Sequence, residues 1–266
     1  MVIAVLVTVK LAGGAGNTTT VRTAVAPDAL RQVAAIPVST LVAAAEAAPA
    51  GTVNPPSDLP PSVPDLSAGA KPEILYMGAE YCPFCAAERW PMVMALSKFG
   101  TFSSLASTKS SSTDTNPDTP TFSFYGSSYS SPYLAFTAVE LYDRAGKTLQ
   151  IPTAEQSKLI GTYDAPPYTT GAKGAIPFVY LGGRYLISGE EYNAADLSGM
   201  TFDSAVGYMT GGSSATSRAA EAVAGHLVGV ICSLTKDRPA NVCSAVPQAL
   251  KSGQATSANQ GATSAG

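Results

Sequence analysis

The chain has 266 residues, a formal net charge of −3 and only 13% charged residues, while hydrophobic residues make up 45%. This length allows one large domain or two small ones. The sequence holds no block of Lys or Arg, and phosphate binding needs a clustered basic surface, so nucleic acid is not expected as a partner. With so few charges, Ser, Thr, Asn and Tyr must supply most of the surface polarity.

The N-terminal region predicts an anchor followed by a spacer. Residues 1–9 (MVIAVLVTV) are almost wholly apolar, but a membrane-spanning helix needs about 20 such residues. The run also lacks the basic region and cleavage site of a signal peptide. We therefore interpret residues 1–12 as a partial membrane anchor, with a loose apolar tail as the alternative. Residues 13–70, Pro-dense over 49–64, predict a spacer and Pro-rich linker with short helices.

Residues 71–250 predict a folded α/β domain, and residues 251–266, rich in Ser, Gly, Ala and Gln, predict a disordered tail. Residues 107–120 are rich in Ser, Thr, Asp and Pro and predict a loop. Gly182-Gly183 supplies the positive φ that a two-residue hairpin turn needs. Apolar runs between turn residues predict strands at 73–77, 121–125, 134–142, 178–181 and 184–187. Helical patterns predict helices at 86–97, 154–159, 202–209 and 215–234.

The sequence Cys82-Pro-Phe-Cys85 stands between a predicted buried strand and a predicted helix. A cysteine at a helix N-terminus is favoured as the thiolate, which is the attacking species in disulfide exchange. Cys85 follows one turn later on the same helix face, where it can resolve a mixed disulfide. The motif therefore indicates a redox disulfide. A zinc site, which would need two more ligands, and a purely structural bridge are the alternatives.

The other two cysteines, Cys232 and Cys243, form a second local pair, which suits an oxidising compartment. We interpret them as a structural disulfide. A second redox pair that passes electrons to the first is the alternative. His226, the single histidine, lies on an apolar helical segment and is interpreted as structural. No metal and no organic cofactor is implied.

The segment GAEYCPFC, residues 78–85, resembles the active-site segment of thioredoxins and their relatives, and Ile176-Pro177-Phe178 resembles their cis-proline loop. The resemblance implies a thioredoxin-like α/β fold, a central mixed sheet flanked by helices, here with an insert and a C-terminal helical extension. It also implies that Ile176 and Pro177 face the cysteines and align the substrate backbone.

A wider set of segments resembles the domain-of-unknown-function family 929. The resemblance rests on GAEYCPFCAAERWP (78–91), FSFYG (122–126), Ile176-Pro177-Phe178 and Ile231-Cys232 with Cys243. Members of that family are bacterial and archaeal proteins with a thioredoxin-like domain, usually behind one N-terminal membrane helix.

The sequence departs from thioredoxins at several positions around the motif. Tyr76 stands six residues before the first cysteine, where many thioredoxins carry a buried acid. Glu80 is interpreted as a solvated rim residue rather than a proton shuttle. Phe84 brings no positive charge, which predicts a pair less oxidising than strongly oxidising relatives. Tyr81, Phe84 and Trp90 form either a rim around the thiols or ordinary core packing.

These features predict a thiol–disulfide oxidoreductase at the cell membrane, single-pass, with its soluble domain on the extracytoplasmic side. The expected partners are exported thiol or disulfide proteins, a membrane redox partner, and the membrane itself through the N-terminal helix. A membrane-tethered scaffold or accessory subunit with the same fold is one alternative. A metallochaperone that holds a soft ion such as Cu(I) between Cys82 and Cys85 is another. The motif is compatible with oxidase, reductase or isomerase activity.

Overall fold

The computed structural model describes residues 22–252, which form a mixed α/β structure with a mixed sheet flanked by helices. The helices of this range are α1 Pro27–Ala35, α2 Val38–Ala47, α3 Pro83–Leu96, α4 Ala154–Tyr163, α5 Phe202–Thr210, α6 Ala215–Leu234, α7 Ala240–Cys243 and α8 Gln248–Lys251, with a 3-10 turn at Ala195–Leu197. Its strands are β1 Thr23–Ala24, β2 Ser57–Asp58, β3 Ser67–Ala68, β4 Lys71–Gly78, β5 Thr101–Ser103, β6 Ala106–Lys109, β7 Pro120–Ser123, β8 Ser128–Ser130, β9 Ala135–Glu140, β10 Phe178–Leu181 and β11 Tyr185–Ser188.

The strand β4 lies at the centre of a six-stranded sheet. It pairs in parallel with β9 and antiparallel with β10, while β11 continues the sheet beyond β10. The short strands β2 and β3 pair antiparallel with β11 and with the start of β4. The predicted hairpin is confirmed, since Gly182 and Gly183 both have positive φ between β10 and β11.

Alternation along β4 and β10 directs side chains to the two faces of the sheet. Ile74 and Tyr76 belong to a large apolar cluster with residues of α3 and α6. Leu75 and Met77 belong to a second cluster, which includes Ile160 of α4. Because both faces are covered, β4 is buried from Ile74 to Gly78, and its position in the sheet is fixed by packing on two sides.

The segment between α3 and β9 contains more strand than the sequence predicts. The strands β6 and β7 pair antiparallel and, together with β1, form a three-stranded sheet. The strands β5 and β8 form a separate two-stranded sheet. The predicted loop over 107–120 is therefore wrong at its ends, since β6 extends to Lys109 and β7 starts at Pro120. Ser and Thr dominate these strands, so the alternation of apolar residues that marks a strand is weak there.

The predicted helices after β4 are confirmed in position. Thr153 and Gln156 form the reciprocal hydrogen bonds of a capping box at the start of α4, which runs to Tyr163 and is longer than predicted. Pro91 lies inside α3, which continues to Leu96. His226 of α6 is buried, and burial lowers its pKa, in agreement with a structural role.

The short helices predicted within residues 13–70 are present as α1 and α2, but the described part of this range, 22–70, packs on the folded core and is not a free spacer. The helices α1 and α2 contribute a stripe of buried side chains to the large cluster: Ala29, Val33, Ile36, Leu41, Val42 and Ala45. The helix α2 packs closely on α6 at Gly225, where a Cβ atom would collide with the Leu41 carbonyl. In the Pro-rich stretch, Leu59 and Val63 are buried in the second cluster. Proline density masked this apolar spacing in the sequence.

Both ends of the chain carry predictions that the structure addresses only in part. The predicted anchor, residues 1–12, lies outside the described residues, as do residues 253–266 of the predicted tail. Lys251, which the sequence assigned to the tail, instead ends α8 and donates a hydrogen bond to Asp237. Within residues 22–252, no helix combines the length and apolar character needed to cross a bilayer.

Candidate active site

The first cysteine of the CPFC motif caps a helix. The strand β4 ends at Gly78, and α3 begins at Pro83, with Cys82 as its N-cap residue. The Cys82 Sγ atom accepts a hydrogen bond from the Cys85 N–H at 3.2 Å. Both cysteines are free thiols and both are buried. The sulfur of Cys82 thus occupies the place of a capping oxygen, where N–H groups and the helix dipole favour negative charge.

A loop distant in sequence faces the Cys82 sulfur. The Cys82 thiol donates to the Ile176 carbonyl across 3.7 Å, and the Ile176–Pro177 peptide bond is cis, as the resemblance implied. The start of β10 at Phe178 follows directly and pairs with Met77 at the end of β4. Because β4 and β10 are neighbours, the sheet itself brings this loop next to the motif.

Asp164 holds the Ile176–Pro177 loop in place through hydrogen bonds. Its carboxylate accepts hydrogen bonds from the Ala175 N–H and from the Ser188 hydroxyl, so it ties the residue before Ile176 to β11. Burial raises the pKa of Asp164, although these hydrogen bonds oppose the shift. Local sequence patterns do not single out this aspartate, because its partners are more than ten residues away in the chain.

The aromatic residues near the motif have two different roles. Tyr81 and Phe84 are half-buried and pack around the thiols together with Tyr142 and Ile176. Trp90, by contrast, is fully buried. Its ring packs against Phe122 and Phe202, with centroid distances of 4.9 and 5.7 Å. Of the three aromatic residues for which the sequence left rim and core packing open, Tyr81 and Phe84 therefore lie at the thiols, while Trp90 belongs to the core.

The prediction that Glu80 is a solvated rim residue is wrong. Glu80 is fully buried, and its Oε1 atom accepts hydrogen bonds from Arg22 Nε at 2.6 Å and from the Ser123 hydroxyl. The guanidinium of Arg22 also lies over the Tyr125 ring. Arg22 precedes β1 and Ser123 ends β7, so the three-stranded sheet closes over this carboxylate. Pairing with a distant arginine is what allows the glutamate to be buried.

A second buried ion pair lies next to the cysteines. Arg89, one turn after Cys85 on α3, donates from Nε and Nη2 to the two carboxylate oxygens of Glu140, at 2.9 and 2.7 Å. Its Nη2 atom also donates to the Ala79 carbonyl at 2.9 Å. The same carbonyl accepts the Cys82 N–H at 3.2 Å. One peptide group therefore connects the guanidinium to the backbone of Cys82.

Tyr76 occupies the position at which many thioredoxins carry an acid. It is fully buried, and its ring lies beside the Arg89 guanidinium, 5.7 Å from centroid to Cζ. Gly78, two residues further along the same face of β4, leaves the space that the hydroxyl fills. Burial raises the pKa of Tyr76 well above its usual value, so this side chain stays neutral.

The environments of the two thiols differ in sign. Burial raises the pKa of a thiol, but at Cys82 the hydrogen bonds from Cys85 and the charge of Arg89 outweigh it, and the pKa is lowered. At Cys85, burial and the neighbouring Cys82 raise the pKa well above its usual value. The Cys82 thiol therefore ionises more readily than the Cys85 thiol, which is the order of acidity that suits a nucleophile followed by a resolving thiol.

Sequence reasoning missed Arg89, Glu140 and Asp164. A signal for the first was present, since Arg89 is four residues after Cys85 and so lies on the same helix face. Apart from Glu88, the other residues of α3 are apolar, and a charged residue in such surroundings indicates a buried partner. The partner itself, Glu140, comes from a parallel strand 51 residues away and was not recognisable from spacing.

The second cysteine pair is a disulfide in the structure. Cys232 near the end of α6 and Cys243 at the end of α7 are bonded, with their Cα atoms 5.5 Å apart, and both are buried. Among residues 22–252, no cluster of three or more His, Cys, Asp or Glu side chains suited to a metal ion occurs.

The comparisons with known proteins give a family match in the middle of the described chain. Residues 61–169 match a family model described as "Domain of unknown function (DUF929)". No curated protein matches the chain, and no solved structure does. The matched range contains Cys82, Cys85, Arg89 and Glu140, whereas Ile176 and Pro177 follow it. The resemblance to domain-of-unknown-function family 929 is thereby confirmed for residues 61–169, which carry the CPFC motif.

Proposed function

We propose that the protein is a thiol–disulfide oxidoreductase that acts on protein disulfides through Cys82 and Cys85. The observation that carries the proposal is the position of the Cys82 sulfur. It caps the N-terminus of α3, accepts the Cys85 N–H, and faces the Ile176 carbonyl of the loop before β10. A lone structural bridge needs none of these contacts. The helix N-terminus and the Cys85 N–H stabilise a nucleophilic thiolate, and the Ile176 contact places the loop before β10 beside the sulfur.

The topology around the motif supports a thioredoxin-like fold as part of the proposal. The strand β4 leads into the CPFC helix, β9 pairs with it in parallel, and the hairpin β10–β11 follows the Ile176–Pro177 loop. The two segments on which the thioredoxin resemblance rests, residues 78–85 and 176–178, thus lie next to each other in the fold. The strands β5 to β8 would then be the insert, and α6 to α8 the C-terminal helical extension.

The proposed reaction transfers two electrons and two protons. The Cys82 thiolate attacks one sulfur of a substrate disulfide, the S–S bond breaks, and the other substrate sulfur leaves and takes up a proton. Cys85 then gives up its proton and attacks the Cys82 sulfur, which releases the second substrate thiol. The substrate disulfide is reduced to two thiols, and Cys82 and Cys85 are oxidised to a disulfide. The reverse sequence oxidises a substrate dithiol, and the partner's potential sets the direction.

Ile176 and Pro177 would align the substrate in this reaction. The Ile176 carbonyl already contacts the Cys82 thiol, so a substrate chain laid along this loop would place its sulfur at the nucleophile. Tyr81, Phe84 and Tyr142 would border the bound segment. Asp164 would keep the loop at its distance from the motif through its bond to the Ala175 N–H.

The proposed location is the extracytoplasmic side of the cell membrane, with attachment through residues 1–12. The Cys232–Cys243 disulfide supports an oxidising compartment, since such bonds persist mainly in exported proteins. The proposed partners are exported proteins with thiols or disulfides, and a membrane protein that supplies or removes electrons.

A trapping experiment tests the proposal. Without Cys85, a mixed disulfide on Cys82 is not resolved, so a full-length Cys85→Ala variant produced in its native host should accumulate covalent complexes with exported proteins. The matched control is Cys82→Ala/Cys85→Ala, which should yield none. Covalent complexes equal in the two variants would contradict the proposal. Stable non-covalent complexes without covalent ones would favour a thioredoxin-fold scaffold instead.

A further inference from the structure

The buried pair of Arg89 and Glu140 is not required by the packing of α3 alone. Both side chains are fully buried, and removing two charges from water costs several kcal/mol per ion before their attraction offsets it. A pair of apolar side chains of similar volume would fill the same space at a lower cost. In addition, Arg89 Nη1 is buried and has no hydrogen-bond partner. An unpaired buried N–H donor is itself destabilising.

The position of this pair indicates what the charge does. Arg89 Nη2 and the Cys82 N–H share the Ala79 carbonyl as acceptor, and Ala79 packs in the same small cluster as both thiols. The guanidinium therefore lies against the peptide that leads into the motif. The two oxygens of Glu140 accept hydrogen bonds from Arg89 and from the Phe124 N–H. The charge of Arg89 acts on both thiols, in the direction that lowers the pKa of each.

We propose that Arg89 is a positioning residue that stabilises the thiolate form of the Cys82–Cys85 pair, and that Glu140 holds the guanidinium against the Ala79 carbonyl. This inference rests on the proposed redox function. A positive charge favours a thiolate and leaves a neutral disulfide unaffected, so it stabilises the reduced state. Arg89 thus supplies from within the fold the charge that Phe84 does not. The pair is more oxidising than the residues between the two cysteines indicate.

The other titratable groups around the thiols do not cancel this effect. Tyr76 on β4 stays neutral because burial raises its pKa well above the usual value. Tyr81, before α3, stays neutral as well, since burial raises its pKa to about 12. Cys85 is protonated when Cys82 is ionised. Glu140 on β9 is bound to Arg89 on both oxygens, and Glu80, two residues before Cys82, is paired with Arg22.

Two variants of the full-length protein test the proposal because they move the charge in opposite directions. Glu140→Gln leaves the Arg89 charge uncompensated, whereas Arg89→Met/Glu140→Gln removes both charges. The measurements are the equilibrium between dithiol and disulfide in glutathione buffers and the pH titration of thiolate absorbance. The matched control is Arg184→Met/Asp65→Asn, which removes an ion pair at the far end of the β10–β11 hairpin.

We expect Arg89→Met/Glu140→Gln to shift the equilibrium about tenfold toward the disulfide, equivalent to ~30 mV for a two-electron couple. The pKa of Cys82 should rise in the same variant. Glu140→Gln should shift both quantities the opposite way, and the control should shift neither. Changes in the same direction for both test variants, or changes under about twofold in both, would overturn the proposal. Circular dichroism identifies any variant that fails to fold. Such a variant is replaced by Arg89→Lys, which keeps the positive charge. For Arg89→Lys, a dithiol–disulfide equilibrium within about threefold of that of the unmodified protein supports the proposal, and a larger shift toward the disulfide overturns the proposal.

The outcome separates this inference from the proposed function. If the unmodified protein does not exchange disulfides with glutathione at Cys82 and Cys85, the proposed function fails. If it exchanges normally and the charge variants behave like the control, only the role of Arg89 fails.

Discussion

The two cysteine pairs of this chain lie in contrasting surroundings. Cys82 and Cys85 are free thiols at the start of a helix, next to a buried arginine and a loop carbonyl. Cys232 and Cys243 are bonded to each other at the end of α6, among apolar side chains of the core. The first pair has polar groups directed at its sulfurs, and the second has none of comparable kind among the described contacts.

Burial alone therefore does not separate a reactive pair from a structural one. All four cysteines are buried. What distinguishes the pairs is the set of groups that interact with the sulfur atoms: a helix N-terminus, an N–H donor and a guanidinium at one site, and close packing at the other. Substitutions at each cysteine pair test this distinction.

The largest expected effect is on exchange activity. Cys82→Ser removes the nucleophile, so reduction of a protein disulfide by the full chain should fall to the background of the buffer. Activity is measured by the release of substrate thiols. Cys232→Ala/Cys243→Ala is the matched control and should retain most of the activity at a temperature where it is folded. Loss of activity in the control with retention in Cys82→Ser would reverse the assignment of the two pairs.

The next effect is on stability, and it should fall on the other pair. Cys232→Ala/Cys243→Ala opens a loop with a sequence separation of 11 residues. In the chain-entropy model such a loop contributes roughly 3 kcal/mol to the free energy of unfolding. For a domain of this size we expect Tm to fall by about 6–12 °C. Calorimetry checks the value, and a change below about 1 °C would show that the bond does not constrain the unfolded chain.

Close packing near the second pair predicts a smaller effect. A Cβ atom at Gly229 of α6 would collide with the Leu250 carbonyl of α8, so Gly229→Ala should destabilise the protein by about 1–3 kcal/mol. Gly161 of α4 has open space around its Cα, and Gly161→Ala should be neutral or stabilising by up to ~1 kcal/mol. Denaturant titrations of both variants give the comparison. Equal effects would mean that α8 yields easily.

The smallest effect is a pH dependence of the reduced protein. The pKa of a free cysteine is about 8.5. The pKa of Cys82 in the folded protein is lowered relative to that of a free cysteine. A lowered pKa contributes stability that is present above the unfolded-state value and is lost as the pH falls through the folded-state value. Reduced protein should therefore gain stability relative to Cys82→Ser as the pH rises toward 8.5. Denaturant titrations across this interval check the sign, and a loss of relative stability would contradict it.

Much of the fold and part of the site follow from local patterns in the sequence. The strand before the motif, the Gly182-Gly183 hairpin and the helix α6 were predicted because apolar spacing and turn residues act within a few positions. Cys82 and Cys85 were found because their chemistry depends on two intervening residues. The cis bond at Pro177 came only from the resemblance to thioredoxins.

The features that sequence patterns do not predict depend on partners far away in the chain. Glu80 is buried because Arg22, 58 residues earlier, reaches its carboxylate. The helix α2 belongs to the core because Gly225 permits contact with α6. Asp164 matters through Ala175 and Ser188. In each case a rule based on residue type, such as the exposure of glutamate, is overridden by one specific tertiary contact.

The hydrogen bond from the Cys85 N–H to the Cys82 sulfur makes the structure of α3 depend on the redox state of Cys82. An anionic sulfur is a strong acceptor, and a sulfur in a disulfide is a weak one, so the first turn of α3 loses much of its cap whenever Cys82 is oxidised. The backbone amide of Cys85 should then exchange with deuterium faster. The redox state of one sulfur atom thereby changes the local order of the helix that follows it, and a partner protein or a spectroscopic measurement can detect that change.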